Sequence, residues 1–98
     1  MKKIPLDKIP AQNINVVLSQ QNCDISVYQK SGLVYVDLSV SGKKIISASL
    51  ARDRVKLIRG KYLGFNGDLM FVDTQGYNDP QYTGFNQRWI LVYVEAGE

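Results

Sequence analysis

Residues 23–40 of this chain read CDISVYQKSGLVYVDLSV. Apolar and polar residues alternate on both sides of a Lys-Ser-Gly turn, and this period of two is typical of strands with one buried face. The pattern predicts a hairpin with strands at 23–28 and 34–40. Cys23 falls on the inward side of the first strand, where it is expected to be a small buried hydrophobe.

The alternation continues on both sides of the hairpin. A strand is predicted before it at 14–18, and another follows a second turn at Ser41-Gly42-Lys43. In this last strand Ile46, Ala48 and Leu50 are expected to point inward. The two hairpin strands and this last strand, three in all, are therefore expected to form a meander.

The second half of the chain has less regular periodicity. Residues 52–59 are predicted to be a short strand or an extended connection, with Val55 and Leu57 anchored inward. A turn-rich region at 60–87 surrounds a short apolar strand at 69–72. Such a long turn-rich region is typical of a shaped contact surface.

The last predicted strand, at 88–94, is apolar on both faces. This pattern fits a central strand covered on two sides, or a strand that meets a partner chain. In all, six to seven short strands predict an all-β fold, a small antiparallel β-sandwich or barrel. We expect one β domain over residues 1–98, with 1–11 as an extended N-terminal arm.

Composition excludes several classes of function. The 98 residues contain one cysteine and no histidine. An internal disulfide and a structural zinc site are therefore ruled out. Most hydrolase mechanisms are disfavoured, because they use a histidine as general base or to activate the nucleophile. No apolar run is long enough to predict a transmembrane segment. Asp68, Asp73 and Asp79 fit no EF-hand spacing and are expected to cap backbone amides in turns. We therefore expect no catalytic, metal or cofactor site. The net charge of +3 is only weak evidence for nucleic-acid binding.

A basic stripe is predicted at Arg52, Arg54 and Lys56, which would share one face if this segment were a strand. Tyr62 and Phe65 follow it. Basic residues beside aromatic ones suit a single-stranded nucleic-acid-binding barrel, and they equally suit a protein interface. Both interpretations stay open at this point.

Tyr28 and Tyr35 lie on the outward side of the two hairpin strands. They are predicted to form a cross-strand pair, either solvated or in an interface.

The chain resembles the baseplate plug proteins of contractile-tailed bacteriophages, first recognised among cyanophages. The resemblance covers essentially the whole sequence. It rests on the order and spacing of these pieces: IPL at 4–6, IPAQ at 9–12, QNC at 21–23, YQ at 28–29, YVDL at 35–38, YLGF at 62–65, GDL at 67–69, FVDT at 71–74, DPQYTG at 79–84 and RWILVYV at 88–94. Family members tend to carry a second cysteine where this chain has Ala51, and a tighter glycine turn where it has Phe85-Asn86-Gln87.

The resemblance implies a non-enzymatic structural subunit of a phage tail baseplate. Such a subunit would plug or bridge the lumen between the tail tube and the central hub and spike, repeated as a homo-oligomer around the tail axis. Its partners would be tail tube, hub and spike proteins, with transient contact with passing DNA and no membrane contact. It would reside in the virion, and in the host cytoplasm during assembly.

Candidate interface residues follow from this interpretation and from the aromatic and basic positions above. They are Tyr28, Tyr35, Arg52, Arg54, Lys56, Tyr62, Phe65, Tyr77, Tyr82, Arg88 and Trp89.

Overall fold

Two antiparallel sheets make up the fold. The computed structural model describes residues 1–59 and 64–95. Within these ranges the strands are β1 (Lys2–Ile4), β2 (Ala11–Leu18), β3 (Gln21–Lys30), β4 (Leu33–Val40), β5 (Lys43–Leu50), β6 (Asp68–Asp73) and β7 (Trp89–Val94). The strand order is β2-β3-β4-β5 in one sheet and β1-β7-β6 in the other. The predicted all-β fold is thereby confirmed, with seven strands in the described residues.

The four-stranded sheet is a meander with short hairpin turns. Each hairpin turns through two residues that both have positive φ: Ser19-Gln20, Ser31-Gly32 and Ser41-Gly42. Two-residue loops of this kind are type I′ turns, whose twist matches that of the flanking strands. The two turns that contain glycine were predicted, whereas the first has no glycine to signal it.

The inward face of β5 differs from the prediction. Ile45 is buried, Ile46 and Leu50 are half-buried, and Ala48 is exposed with φ of 51°. The reason is a pair of register shifts against β4, which break the strict alternation of side chains. Asp37 holds the irregular backbone, because its carboxylate accepts a hydrogen bond from the Ala48 N–H at 2.5 Å. The prediction that Ala48 points inward was therefore wrong.

β7 is the central strand of the second sheet. It pairs with β6 on one side and β1 on the other, and five of its six residues are buried, which explains why it is apolar on both faces. Lys2 to Ile4, predicted as part of an extended arm, form β1 along this strand. The predicted strand at 69–72 is extended by one residue at each end.

Residues 52–59 form an extended connection with one isolated bridge, between Asp53 and Phe71. The connection follows the outer edge of β6: the N–H of Arg54 donates to the Phe71 carbonyl and that of Leu57 to the Leu69 carbonyl. Leu57 is buried as predicted. Val55 is exposed, so its predicted inward position was wrong, because the positive φ of Arg54 interrupts the alternation.

One hydrophobic core contains residues of both sheets. Phe71 of β6 stacks on Phe85 with ring centroids 5.5 Å apart, and Phe65 meets the ring of Tyr93 edge-on at 5.8 Å. Cys23 lies in this core with 2% of its surface exposed, and burial raises the pKa of its thiol. The thiol is therefore a packing group, as its place in the alternation predicted.

Candidate docking surface

A carboxylate at the end of β6 organises the loop that follows it. Asp73 is fully buried, and its two oxygens accept hydrogen bonds from Nε and Nη2 of Arg88, each at 2.9 Å. The same oxygens accept the N–H groups of Gln75 and Asn78, also at 2.9 Å. Asp73 therefore caps the loop and also binds Arg88, the residue just before β7. Residues 74–80 are called the Tyr77 loop below.

A second arginine, Arg54, also binds the loop. Nη1 of Arg54 donates to the Gly76 carbonyl and Nη2 to the Asp73 carbonyl, each at 3.0 Å. Arg54 also pairs with Asp53, whose other oxygen accepts the N–H of Asp73 at 2.7 Å. The Arg54 guanidinium thus binds the loop backbone directly, and the Arg88 guanidinium binds the carboxylate that caps it, so contacts within the chain hold the loop.

Tyr77 lies at the tip of this loop with 86% of its surface exposed. The guanidinium of Arg54 lies over its ring, 4.8 Å from the centroid. Below the loop, the indole N–H of Trp89 donates to the Asn78 carbonyl at 3.0 Å, while Arg88 covers the Trp89 ring at 4.5 Å. The result is an exposed tyrosine on a rigid base, flanked by a cation.

The structure brings Arg54, Tyr77, Arg88 and Trp89 of the candidate residues together around this loop. Tyr82 lies nearby in the sequence, half-buried on the 3₁₀ turn Tyr82–Gly84, and its N–H donates to the side chain of Gln29. Trp89 itself is buried within the chain, so it supports the loop and offers little surface to a partner.

The remaining candidate residues lie elsewhere. Tyr28 and Tyr35 form the predicted cross-strand pair, stacked with centroids 5.9 Å apart. Burial and the hydrogen bond to Asp37 raise the pKa of the Tyr28 hydroxyl. Phe65 is 3% exposed and packs in the core, so it does not present an exposed ring as expected. Tyr62 lies outside the described residues.

The predicted basic stripe is not a row on a strand. Arg52 and Lys56 are exposed, but Arg54 turns towards the Tyr77 loop, since its φ of 58° breaks the alternation. One of the three cations is thus already engaged within the chain, which removes the regular geometry on which the nucleic-acid interpretation depended.

The expectation for the aspartates is confirmed in detail. Asp68 accepts the N–H groups of Ile58, Arg59 and Leu69, and Asp79 accepts that of Asp53. Among the described residues, no three His, Cys, Asp or Glu side chains are placed to share a metal ion. No helix in the same ranges is long and apolar enough to cross a membrane.

Comparison with known families gives one assignment. A family model described as "Cyanophage baseplate Pam3 plug gp18" matches residues 1–96. The chain belongs to this family. Membership supports a structural role in a phage tail baseplate, together with other baseplate components, and so a place in the virion tail. No curated protein matches the chain.

This member of the plug family fills the turn before β7 with a large side chain. Phe85 is buried against Phe71, and Asn86 takes a φ of 66° while its N–H donates to the Trp89 carbonyl at 2.8 Å. The turn before β7 therefore contributes an aromatic ring to the core.

The Asp73–Arg88 pair predicts loss of stability in acid. The guanidinium of Arg88 holds the pKa of the Asp73 carboxyl well below its usual range. A depressed folded pKa contributes stability that is fully present above the unfolded value of about 4 and is lost as the pH falls towards the folded value. We expect the urea midpoint of this plug-family chain to decrease steadily below about pH 4.

The matched comparison is the acid dependence of Asp73→Asn against that of Asp7→Asn, which removes an exposed carboxylate instead. If Asp73→Asn kept the full wild-type acid dependence, the pair would not be its source.

Proposed function

We propose that the chain is a non-enzymatic subunit that plugs or bridges the baseplate lumen between the tail tube and the central hub and spike. Copies would be repeated around the tail axis, and each would enter the baseplate from the host cytoplasm. Family membership supports the baseplate setting. The observation that carries the mode of docking is Tyr77, exposed at the tip of a loop that is already fixed.

A fixed, exposed tyrosine is well suited to bind a neighbouring subunit. The few residues that contribute most of the binding energy in protein interfaces are enriched in tyrosine, tryptophan and arginine. Because Arg54 and Asp73 hold the loop before contact, little conformational entropy is lost when Tyr77 docks. Contact would also cover an aromatic ring that water now surrounds.

The partner surface should be acidic around a pocket for the ring. Arg54 flanks Tyr77, and Arg52 and Lys56 are exposed on the neighbouring segment. These cations would pair with carboxylates of tail tube, hub or spike proteins, or face DNA as it passes. The Tyr28–Tyr35 pair offers a second, flatter contact on the outer face of the meander.

The buried side chains that could support catalysis pack in the core or form hydrogen bonds within the chain. The buried carboxylates of Asp68 and Asp73 accept backbone and arginine N–H groups, the Cys23 thiol is buried, and the sequence contains no histidine. These features favour a packing role over an enzymatic one.

Replacing Tyr77 by alanine is expected to block assembly without unfolding the chain. A central interface tyrosine typically contributes about 2 kcal/mol or more, which corresponds to roughly thirtyfold weaker binding. Phage that carry Tyr77→Ala should therefore incorporate far fewer copies into purified tails, measured by quantitative mass spectrometry. Tyr77→Phe, which keeps the ring, should retain most of the incorporation.

Thermal unfolding of purified Tyr77→Ala should match that of the wild type, because the side chain is exposed. Normal incorporation and infectivity of Tyr77→Ala phage would exclude the loop as the docking surface.

A further inference from the structure

The outer edge of β2 differs from the other sheet edges in the described residues. β1 is three residues long and carries Lys2 and Lys3, and the edge of β6 is covered by the connection at 53–57. β5 begins with two lysines and is interrupted by the irregular backbone at Ala48. Charges, bulges and coverage are the usual means of keeping sheet edges from pairing.

β2 has none of these devices. It is eight residues long, reads AQNINVVL without a charge or proline, and keeps an unbroken register with β3. Val17 is 57% exposed, a large fraction for a β-branched residue, and it borders a shallow groove lined also by Asn22 and Gly42. A long, regular, uncharged edge is a template for an additional strand.

The direction of the backbone groups follows from the pairing with β3. The N–H of Gln29 donates to the Pro10 carbonyl, so even-numbered residues of β2 point their backbone groups towards β3. The N–H and C=O groups that point outward are consequently those of Ala11, Asn13, Asn15 and Val17. Within the described part of the chain, β3 is the only strand that pairs with β2.

We infer that β2 pairs antiparallel with β2 of a second copy of this chain, in the register centred on Ile14. In this register Asn13 lies opposite Asn15 of the other copy, Ala11 opposite Val17, and Ile14 opposite Ile14. Every outward backbone group of the strand then has a partner. Asn meets Asn on one face and Ile meets Ile on the other, where Gln12 also lies opposite Val16. No pair brings two like charges together, because the strand contains none.

The pairing would cover Val17 and bury more of Ile14 and Val16, which are only half-buried in the single chain. It would join two meanders into one continuous sheet across a two-fold axis. A two-fold contact is closed. We expect this two-fold dimer in the purified chain. In the baseplate, contacts between copies around the tail axis would use other surfaces, including the Tyr77 loop.

Analytical ultracentrifugation of the full chain at about 1 to 100 μM tests the oligomeric state. We expect a dimer, and we expect Val17→Lys to raise its dissociation constant by at least about tenfold, because it places a charge on the edge of each copy. Val55→Lys adds the same charge at an exposed apolar residue outside the edge, and should leave the dimer unchanged.

Cysteine crosslinking tests the register. Ile14 would face its own copy in a non-hydrogen-bonded pair, where Cα atoms are about 4.5 Å apart and a disulfide can form. Ile14→Cys should therefore give a covalent dimer under mild oxidation, and Asn15→Cys should crosslink much less. Circular dichroism on both variants checks that the fold is retained.

A chain that stays monomeric throughout the concentration range would overturn the inference. So would a dimer that Val17→Lys leaves intact, or a monomer whose β2 edge takes up only an extended segment of another baseplate protein. None of these outcomes bears on the Tyr77 loop, so the inference and the proposed function fail separately.

Discussion

Gly67→Ala is expected to lower the free energy of unfolding by about 3 kcal/mol or more. Gly67 has φ of 104°, a conformation that strains any residue with a Cβ. An added Cβ would also lie 2.6 Å from Cε1 and Oη of Tyr93 and from the Val94 carbonyl oxygen. Neither group can move easily, because Tyr93 is buried and its hydroxyl binds Ser19 and the Asn66 carbonyl.

Gly42→Ala is the matched control for this substitution. Gly42 has φ of 83°, and no atom beyond its two chain neighbours lies within 4 Å of the place its Cβ would take. Its cost should be only the backbone strain, about 1 kcal/mol. Urea unfolding of both variants measures the difference. Equal losses would show that close packing of the turn on Tyr93 contributes nothing to stability.

Asp73→Asn is expected to release the Tyr77 loop. The substitution keeps the shape of the side chain but puts an N–H₂ donor where an oxygen accepts N–H groups of the loop and of Arg88. Two donors then face each other, and the Arg88 guanidinium loses its counter-ion. Amide exchange at Gln75 and Asn78 should accelerate by about tenfold or more, with a red shift of Trp89 fluorescence as the cover of the indole loosens.

The control is again Asp7→Asn, which removes an exposed carboxylate of the same charge. It should leave the exchange rates of the loop and the Trp89 emission as they are in the wild type. Unchanged protection of Gln75 and Asn78 in Asp73→Asn would mean that Asp73 does not fix the loop. Phage incorporation of Asp73→Asn should fall towards that of Tyr77→Ala, since the tyrosine would no longer be held for docking.

The meander could be predicted from the sequence because its two sources of information are local. Alternation defines the faces of the hairpin strands, and glycine marks the turns at 31–32 and 41–42. The irregular register of β5 is not local, because it is fixed by Asp37 on the neighbouring strand, which binds the Ala48 N–H. No periodicity in residues 43–50 could reveal that contact.

The candidate site was predicted only in part, for the same reason. The amide-capping role of Asp73 follows from a turn-rich sequence. Turn-rich sequence has no period, however, so it cannot show which of its aromatic rings point inward: Phe65 is buried, whereas Tyr77 is exposed. The contact of Arg54 with the loop joins residues about twenty positions apart, and an alternating basic pattern hides it.

The proposed role can be tested on the assembled particle. Electron cryomicroscopy of tails, at a resolution that shows side chains, should place copies of this chain in the baseplate lumen between tube and hub. Tyr77 should lie in a pocket of a neighbouring subunit, with acidic residues near Arg54. Density for the chain at the outside of the baseplate, or its absence from the tail, would contradict the account.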